Sequence, residues 1–186
     1  MGDPRASVCD TSGITSKLVL EYVEREGGAD AVRGVLERAG APDDEALLRE
    51  ENSWFPYELK IRLFEAAEEE LQDPETMRKV GATSLESNVG VALRLSLRAL
   101  GSPRLVYQNV VRANAKFTRS HAMELLELRD DFARIRFVDL NDTGFAASDC
   151  RYNQGLLSCV PALFGLPHAR VSHTECAGTQ LSSPWL

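Results

Sequence analysis

The sequence predicts an α+β fold: an antiparallel sheet with a C-terminal hairpin-helix-strand unit, packed against a helical N-terminal half. Two observations carry that expectation. Up to about residue 115 the apolar residues recur every three or four positions, as on one face of a helix. From about residue 122 they alternate in two short runs around a turn. The chain has 186 residues, 44% hydrophobic and 26% charged, enough for one domain with a real core.

The elements follow in order. Residues 1 to 13 carry Gly, Pro, Ser and Asp without a period and read as a flexible tail, with Cys9 exposed in it. Ile14 to Arg25 sets Leu18, Tyr22 and Val23 on one side and stops at Gly27-Gly28. Ala29 to Ala39 aligns Val32, Val35 and Leu36 ahead of Gly40. Asp43 to Arg49 is a short helix with Asp43 or Asp44 near its N-cap. Asn52 to Tyr57 breaks the pattern, and Pro56 suits the first turn of the next helix. That helix, to about Gln72, carries Leu59, Leu63, Phe64, Ala67 and Leu71, and Asp73-Pro74 ends it. A further short helix runs from Glu75 to Val80.

Val89 to Leu100 alternates as a strand would, but its length, its Leu, Arg and Ala content and Gly101 favour a helix. Pro103 to Ala115 is another helix. Ala122 to Leu128 and Ala133 to Leu140 form a hairpin around Arg129-Asp130-Asp131. In its second strand Ala133, Ile135 and Phe137 face one way, Arg134 and Arg136 the other. Asn141 to Gly144 is a loop, Asp149 to Phe164 a helix closed by Gly165 and Pro167, and His168 to Thr174 a last strand.

Composition narrows the function classes. The formal net charge is -7 and no Lys/Arg run is present, which argues against nucleic-acid binding. No stretch approaches the roughly 18 apolar residues of a membrane span, and no signal peptide opens the sequence. A cytoplasmic, soluble protein is the expectation, with the four cysteines as thiols or metal ligands rather than disulfides. The acidic stretch Glu65 to Glu75 reads as a solvated helix face.

Metal-capable residues gather between Cys150 and Cys176: Cys150, Cys159, His173 and Cys176. Thiolates with imidazole suit zinc. At about 100° per residue, Cys150 and Cys159 lie about half a turn out of phase. Cys159 shares the stripe of Leu156, Val160 and Leu163 and reads as a core thiol, whereas Cys150 sits at the helix start and can look outward. In a regular strand His173 and Cys176 face opposite sides, so one ion takes both only where the strand ends near Thr174.

The segment Cys150-Arg-Tyr-Asn-Gln-Gly-Leu-Leu-Ser-Cys-Val-Pro-Ala-Leu-Phe-Gly165, followed by Ala169-Arg-Val-Ser-His-Thr-Glu-Cys176, resembles the end of a 4-vinyl reductase domain. Phenol-sensing relatives in that family hold structural zinc in a C-x22-E-x2-C-x7-C pattern. Cys150 and Cys176 match its first and third ligands, His173 stands at the second and Pro184 at the fourth. The resemblance covers residues 14 to 176 as one domain, with motif-level specificity in the C-terminal quarter. It leaves residues 177 to 186 as a divergent or truncated end. It implies a non-catalytic sensory domain that binds a small apolar ligand and signals to an attached or partner module (a kinase, cyclase or regulator). It also implies zinc at Cys150, His173 and Cys176, and a homodimer. Candidate pocket walls are Trp54, Phe64, Tyr107, Phe117 and Phe137, each of which reads first as an ordinary core residue. The alternatives are a reductase-type enzyme subunit handling a tetrapyrrole and a pure protein-interaction module.

Other motifs are weaker. His173-Thr-Glu175 lacks the downstream P-C-x-x-C that zinc deaminases need. Asp142-Thr-Gly144 reads as a turn. Ser120-His121 lacks an oriented third member. Haem is disfavoured, because the Tyr-x-Ser-x-Arg signature of nitric-oxide haem domains is absent.

Overall fold

Ser12 starts the longest helix. Its backbone is extended (φ -75°, ψ 142°) and its hydroxyl accepts from the Ile14 N–H at 3.3 Å, satisfying one orphan donor. The computed structural model describes residues 9–84 and 91–174. In chain order its elements are β1 (Cys9–Ser12), α1 (Gly13–Ala39), α2 (Glu45–Leu48), β2 (Trp54–Pro56), α3 (Tyr57–Glu70), α4 (Thr76–Thr83), α5 (Val91–Arg98), α6 (Pro103–Asn114), β3 (His121–Leu128), β4 (Ala133–Asp139) and α7 (Ala147–Ser158), followed by a 3-10 turn, Pro161–Phe164. This is an α+β fold.

The two helices expected on either side of Gly27-Gly28 run on as α1 with a kink at Gly28, whose φ of 76° and ψ of -174° are not helical. Gly40 ends α1 in the left-handed conformation (φ 72°). Its N–H and that of Ala41 cap the carbonyls of Glu37 and Leu36, a Schellman arrangement. Leu18, Val19, Leu20, Tyr22 and Val23 are all buried, so the first half of α1 is the central helix of the body. The core joins α1 to α3, α4 and α7 through Val32, Val35, Leu36, Leu63, Phe64, Met77, Val80 and Tyr152.

The strands form two antiparallel pairs, β1–β2 and β3–β4, rather than the single sheet expected. The segment between α6 and β3 links the pairs. Ser12 N–H donates to the Phe117 carbonyl at 2.9 Å, Arg119 N–H donates to the Asp10 carbonyl at 2.8 Å, and Thr11 bridges Thr118. In the hairpin Met123 pairs with Phe137 and Leu125 with Ile135. Exposed Arg134 and Arg136 alternate with half-buried Ala133, Ile135 and Phe137, as predicted.

Three further expectations are corrected. Residues 9–12 are not tail: Cys9–Ser12 is a strand, with Asp10, Thr11 and Ser12 buried between β2 and the 117–119 segment. The helix predicted from Asp149 to Phe164 stops at Ser158 and resumes as a 3-10 turn, because Pro161 has no N–H to offer the Leu157 carbonyl four residues back. Residues 168–174 form no strand. Among the described residues, the Ala169 N–H ties them to the body by donating to the Ser158 carbonyl at 2.9 Å. Val89–Leu100 resolves as helix over Val91–Arg98; residues 89 and 90 lie outside the described residues. Among the described residues no helix is long and apolar enough to cross a membrane.

Candidate functional site

The densest group of chemistry-bearing side chains lies where the hairpin meets α3 and α7. Asp149 sits in the first turn of α7, where the helix dipole favours a carboxylate. It is buried, and three side chains donate to its carboxylate. Lys60 of α3 donates from Nζ to Oδ1 at 2.8 Å, the Tyr57 hydroxyl donates to Oδ2 at 3.0 Å, and Asn153 Nδ2 donates to Oδ1 at 3.1 Å. Lys60 is also buried, with its ammonium 4.8 Å from the Tyr57 ring centroid and 5.4 Å from that of Phe64. Burial and the adjacent Asp149 charge hold the Tyr57 phenol far above the ordinary tyrosine range, so it is a permanent donor.

Tyr57 passes this group on to the hairpin. Its ring packs, tilted by 46°, at 4.6 Å from the imidazole of His121, the first residue of β3, which also meets Phe145 at 4.9 Å. His121 is buried. Its Nε2 lies 2.9 Å from the Gly144 carbonyl and its Nδ1 lies 3.0 Å from Ser120 Oγ. A carbonyl only accepts, so Nε2 carries a proton that it donates to Gly144. Asp139, at the end of β4, holds the following turn. It accepts from Gly144 N–H at 2.6 Å, Asn141 N–H at 3.1 Å and Thr143 Oγ1 at 3.2 Å. Burial alone raises its pKa, but these backbone donors and nearby His121 outweigh burial and lower it. Asp142 takes positive φ (55°) in that turn, so the D-T-G tripeptide is a turn, as expected.

The composition of this joint is that of a hydrolase triad, but its geometry is not. Ser120 is fully buried and shares its hydroxyl with Thr118 Oγ1 at 3.0 Å. The Asp139 carboxylate lies 4.0 Å from Nε2, beyond hydrogen-bond reach, and is engaged by the turn amides. The joint is a satisfied polar link that ties β3 and the 139–144 turn to α3 and α7.

The predicted aromatic residues occupy separate settings. Phe64 is a core residue packed 5.2 Å from the Tyr152 ring. Trp54 is half-buried on β2, with the Arg119 guanidinium 3.9 Å over its ring. Phe117 is its neighbour across β1, since Ser12 pairs with Trp54 and bonds the Phe117 carbonyl. Tyr107 of α6 donates its hydroxyl to the Leu157 carbonyl at 2.8 Å, and Phe137 lies half-buried on the apolar face of the hairpin. A surface depression of about 380 Å³ between α1 and α2 is floored by Val32, Leu36 and Pro42 and rimmed by Glu24, Glu45 and Arg49. None of the five aromatics lines it.

Of the predicted metal ligands, Cys150 is half-buried in the first turn of α7 and His173 is exposed. Cys176 and Glu175 lie outside the described residues. Among the described residues no three His, Cys, Asp or Glu side chains are grouped as a metal cage. Cys159 is buried against α4, its thiol 3.1 Å from the Leu156 carbonyl, as its place on the stripe predicts.

Sequence reasoning missed Tyr57, Lys60, His121 and Asp149 as a group. A signal was present: Lys60 falls on the apolar stripe of α3, three positions from Tyr57 and four from Phe64, where a charge demands a buried partner. Comparison with protein-family models and with curated proteins finds no match for this chain.

Proposed function

We propose that this chain is a non-catalytic sensory domain that takes a small apolar ligand against the apolar face of the β3–β4 hairpin. The observation that carries the reading is the half-buried state of that face. Leu125, Ile135 and Phe137 lie beside buried Met123, and α6 packs on β3. A two-stranded hairpin is marginal without a covered face, so a ligand that completes the burial stabilises it by mass action. The His121–Tyr57–Asp149–Lys60 joint supplies the transmission, because a shift of the hairpin is felt at once by α3 and α7. The reactive groups that cluster are buried and mutually satisfied, which supports binding over chemistry. The resemblance of the Cys150 to Cys176 stretch to 4-vinyl reductase domains points the same way and adds a structural zinc held by Cys150 and Cys176 with His173.

Native mass spectrometry of the purified chain tests this. A co-purified small molecule, lost from Phe137→Ser and Ile135→Ser variants that still fold, supports the reading. A ligand-free wild type that binds an apolar dye no better than Phe137→Ser removes it. Metal analysis of wild type against Cys150→Ser decides the zinc: about one ion per chain supports it, and none removes it.

A further inference from the structure

The charges of this acidic chain are sorted by segment. No aspartate or glutamate lies between Glu86 and Glu124, yet Arg94, Arg98, Arg104, Arg112, Lys116 and Arg119 do. The structure places these residues on α5, α6 and the segment just after, and all but half-buried Arg94 are exposed. Arg104 meets Asp130 at 3.3 Å and Arg119 covers Trp54, but among the described residues no carboxylate pairs with Arg98, Arg112 or Lys116. Arg104, Gln108 and Arg112 follow one another at four-residue steps and share one exposed stripe of α6. Arg94 and Arg98 repeat the spacing on α5, where like charges destabilise a helix. Two large apolar side chains stand among these cations: Leu95 is 62% exposed and Leu105 42%. Exposed leucines interspersed with arginines are the composition of an interaction surface.

The complementary pattern exists on the same chain. On α3, Glu58, Ile61 and Glu65 fall at i, i+3 and i+7, an exposed carboxylate on either side of a half-buried isoleucine. Among the described residues neither carboxylate forms a salt bridge, and Arg151, whose charge reaches Glu65, is paired with Glu68. Burial, then the charges of Glu68 and Glu69, raises the pKa of the Glu65 carboxyl, which an added cation would relieve. Glu58 and Glu65 are about 10 Å apart along the helix, and Arg104 and Arg112 about 12 Å, at about 1.5 Å rise per residue.

We infer that the α5–α6 face is a docking surface for a second copy of this chain, with its exposed leucines and arginines seated on the Glu58–Ile61–Glu65 stripe of the other copy's α3. A two-fold axis that uses each face once per copy closes a dimer; without it the contact runs on as a chain of copies. The inference does not depend on the proposed ligand.

Sedimentation velocity over a range of concentrations tests it, at about 50 mM and about 500 mM salt. Wild type should self-associate at low salt and dissociate at high salt. Arg98→Glu/Arg112→Glu and Glu58→Lys/Glu65→Lys should each weaken association at least about tenfold, and an equimolar mixture of the two should restore it. Circular dichroism checks that both variants fold, and native mass spectrometry that their ligand content matches wild type, which separates this outcome from failure of the sensory reading. Wild type that stays monomeric at low salt overturns the inference, as does association indifferent to both charge reversals. Binding of monomeric wild type to duplex DNA or phosphatidylserine vesicles in place of itself overturns it equally.

Discussion

Gly81 of α4 and Gly155 of α7 meet across a helix crossing so close that neither position has room for a Cβ. A methyl at Gly81 would overlap the Tyr152 carbonyl, and one at Gly155 would overlap the Arg78 carbonyl. These are backbone atoms and cannot swing away. Glycine inside a helix ordinarily costs about 1 kcal/mol relative to alanine, so replacing it would normally stabilise. Here the sign reverses. Gly81→Ala and Gly155→Ala should each destabilise by about 2 to 3 kcal/mol, the range of core overpacking, as read by urea unfolding. A neutral or stabilising result would show that the helices separate without cost.

Lys60 and Asp149 are unequal members of one buried pair. Removing Lys60 leaves a carboxylate that still accepts from Tyr57 and Asn153. Removing Asp149 leaves an ammonium with, among the described residues, the rings of Tyr57 and Phe64 beside it. Both Lys60→Met and Asp149→Ala should cost about 3 to 5 kcal/mol, with Asp149→Ala the larger, and the double variant should cost less than the two added. Additive losses in a double-mutant cycle would mean that the pair does not interact.

What was legible in the sequence follows from how local the cause is. The break at Gly27-Gly28 was readable from the interrupted stripe, though as the end of a helix rather than the kink that α1 shows, and the hairpin because its period and turn residues are adjacent in sequence. Cys159 was readable as core from its phase on α7. The joint was not, because its partners lie far apart: Tyr57 and Asp149 are separated by 92 residues, and sequence spacing says nothing about such a contact. The expected strand at 168–174 failed for the same reason, since a strand exists only through a neighbour that pairs with it. The basic face escaped notice because its cations recur every three to eight residues rather than in a run. Tail residues 9–12 became strand because β2 and the 117–119 segment supply both edges.

Asp139 makes the turn after the hairpin sensitive to acid. The turn amides lower its pKa in the folded chain, so its ionised form stabilises the fold above the unfolded value of about 3.9. That stabilisation is lost as pH falls through the lower folded value. Asp139→Asn should therefore be about 1 to 2 kcal/mol less stable than wild type at neutral pH, and the two should converge below about pH 4. A difference that persists undiminished into acid would assign the loss to shape rather than charge.

Tyr107 completes a helix end that proline leaves open. Pro161 cannot donate to the Leu157 carbonyl, and the Tyr107 hydroxyl of α6 takes that place at 2.8 Å. Tyr107→Phe keeps the ring and strands the carbonyl, so it should cost about 1 to 2 kcal/mol at neutral pH. Burial, then the Cys159 charge, pushes the Tyr107 phenol up to about 12. The folded state thus favours the protonated phenol. Its contribution is complete below the unfolded value of about 10 and is lost as pH rises from there to about 12. Tyr57 and Tyr152 are raised too, so wild type should lose stability steeply over that interval. Tyr107→Phe should lose less over the same range, which narrows its deficit as the solution becomes alkaline. Chemical denaturation at a series of pH values reads this directly. A deficit that stays constant from neutral pH to about pH 12 would show that the Tyr107 hydroxyl titrates as it does in the unfolded chain.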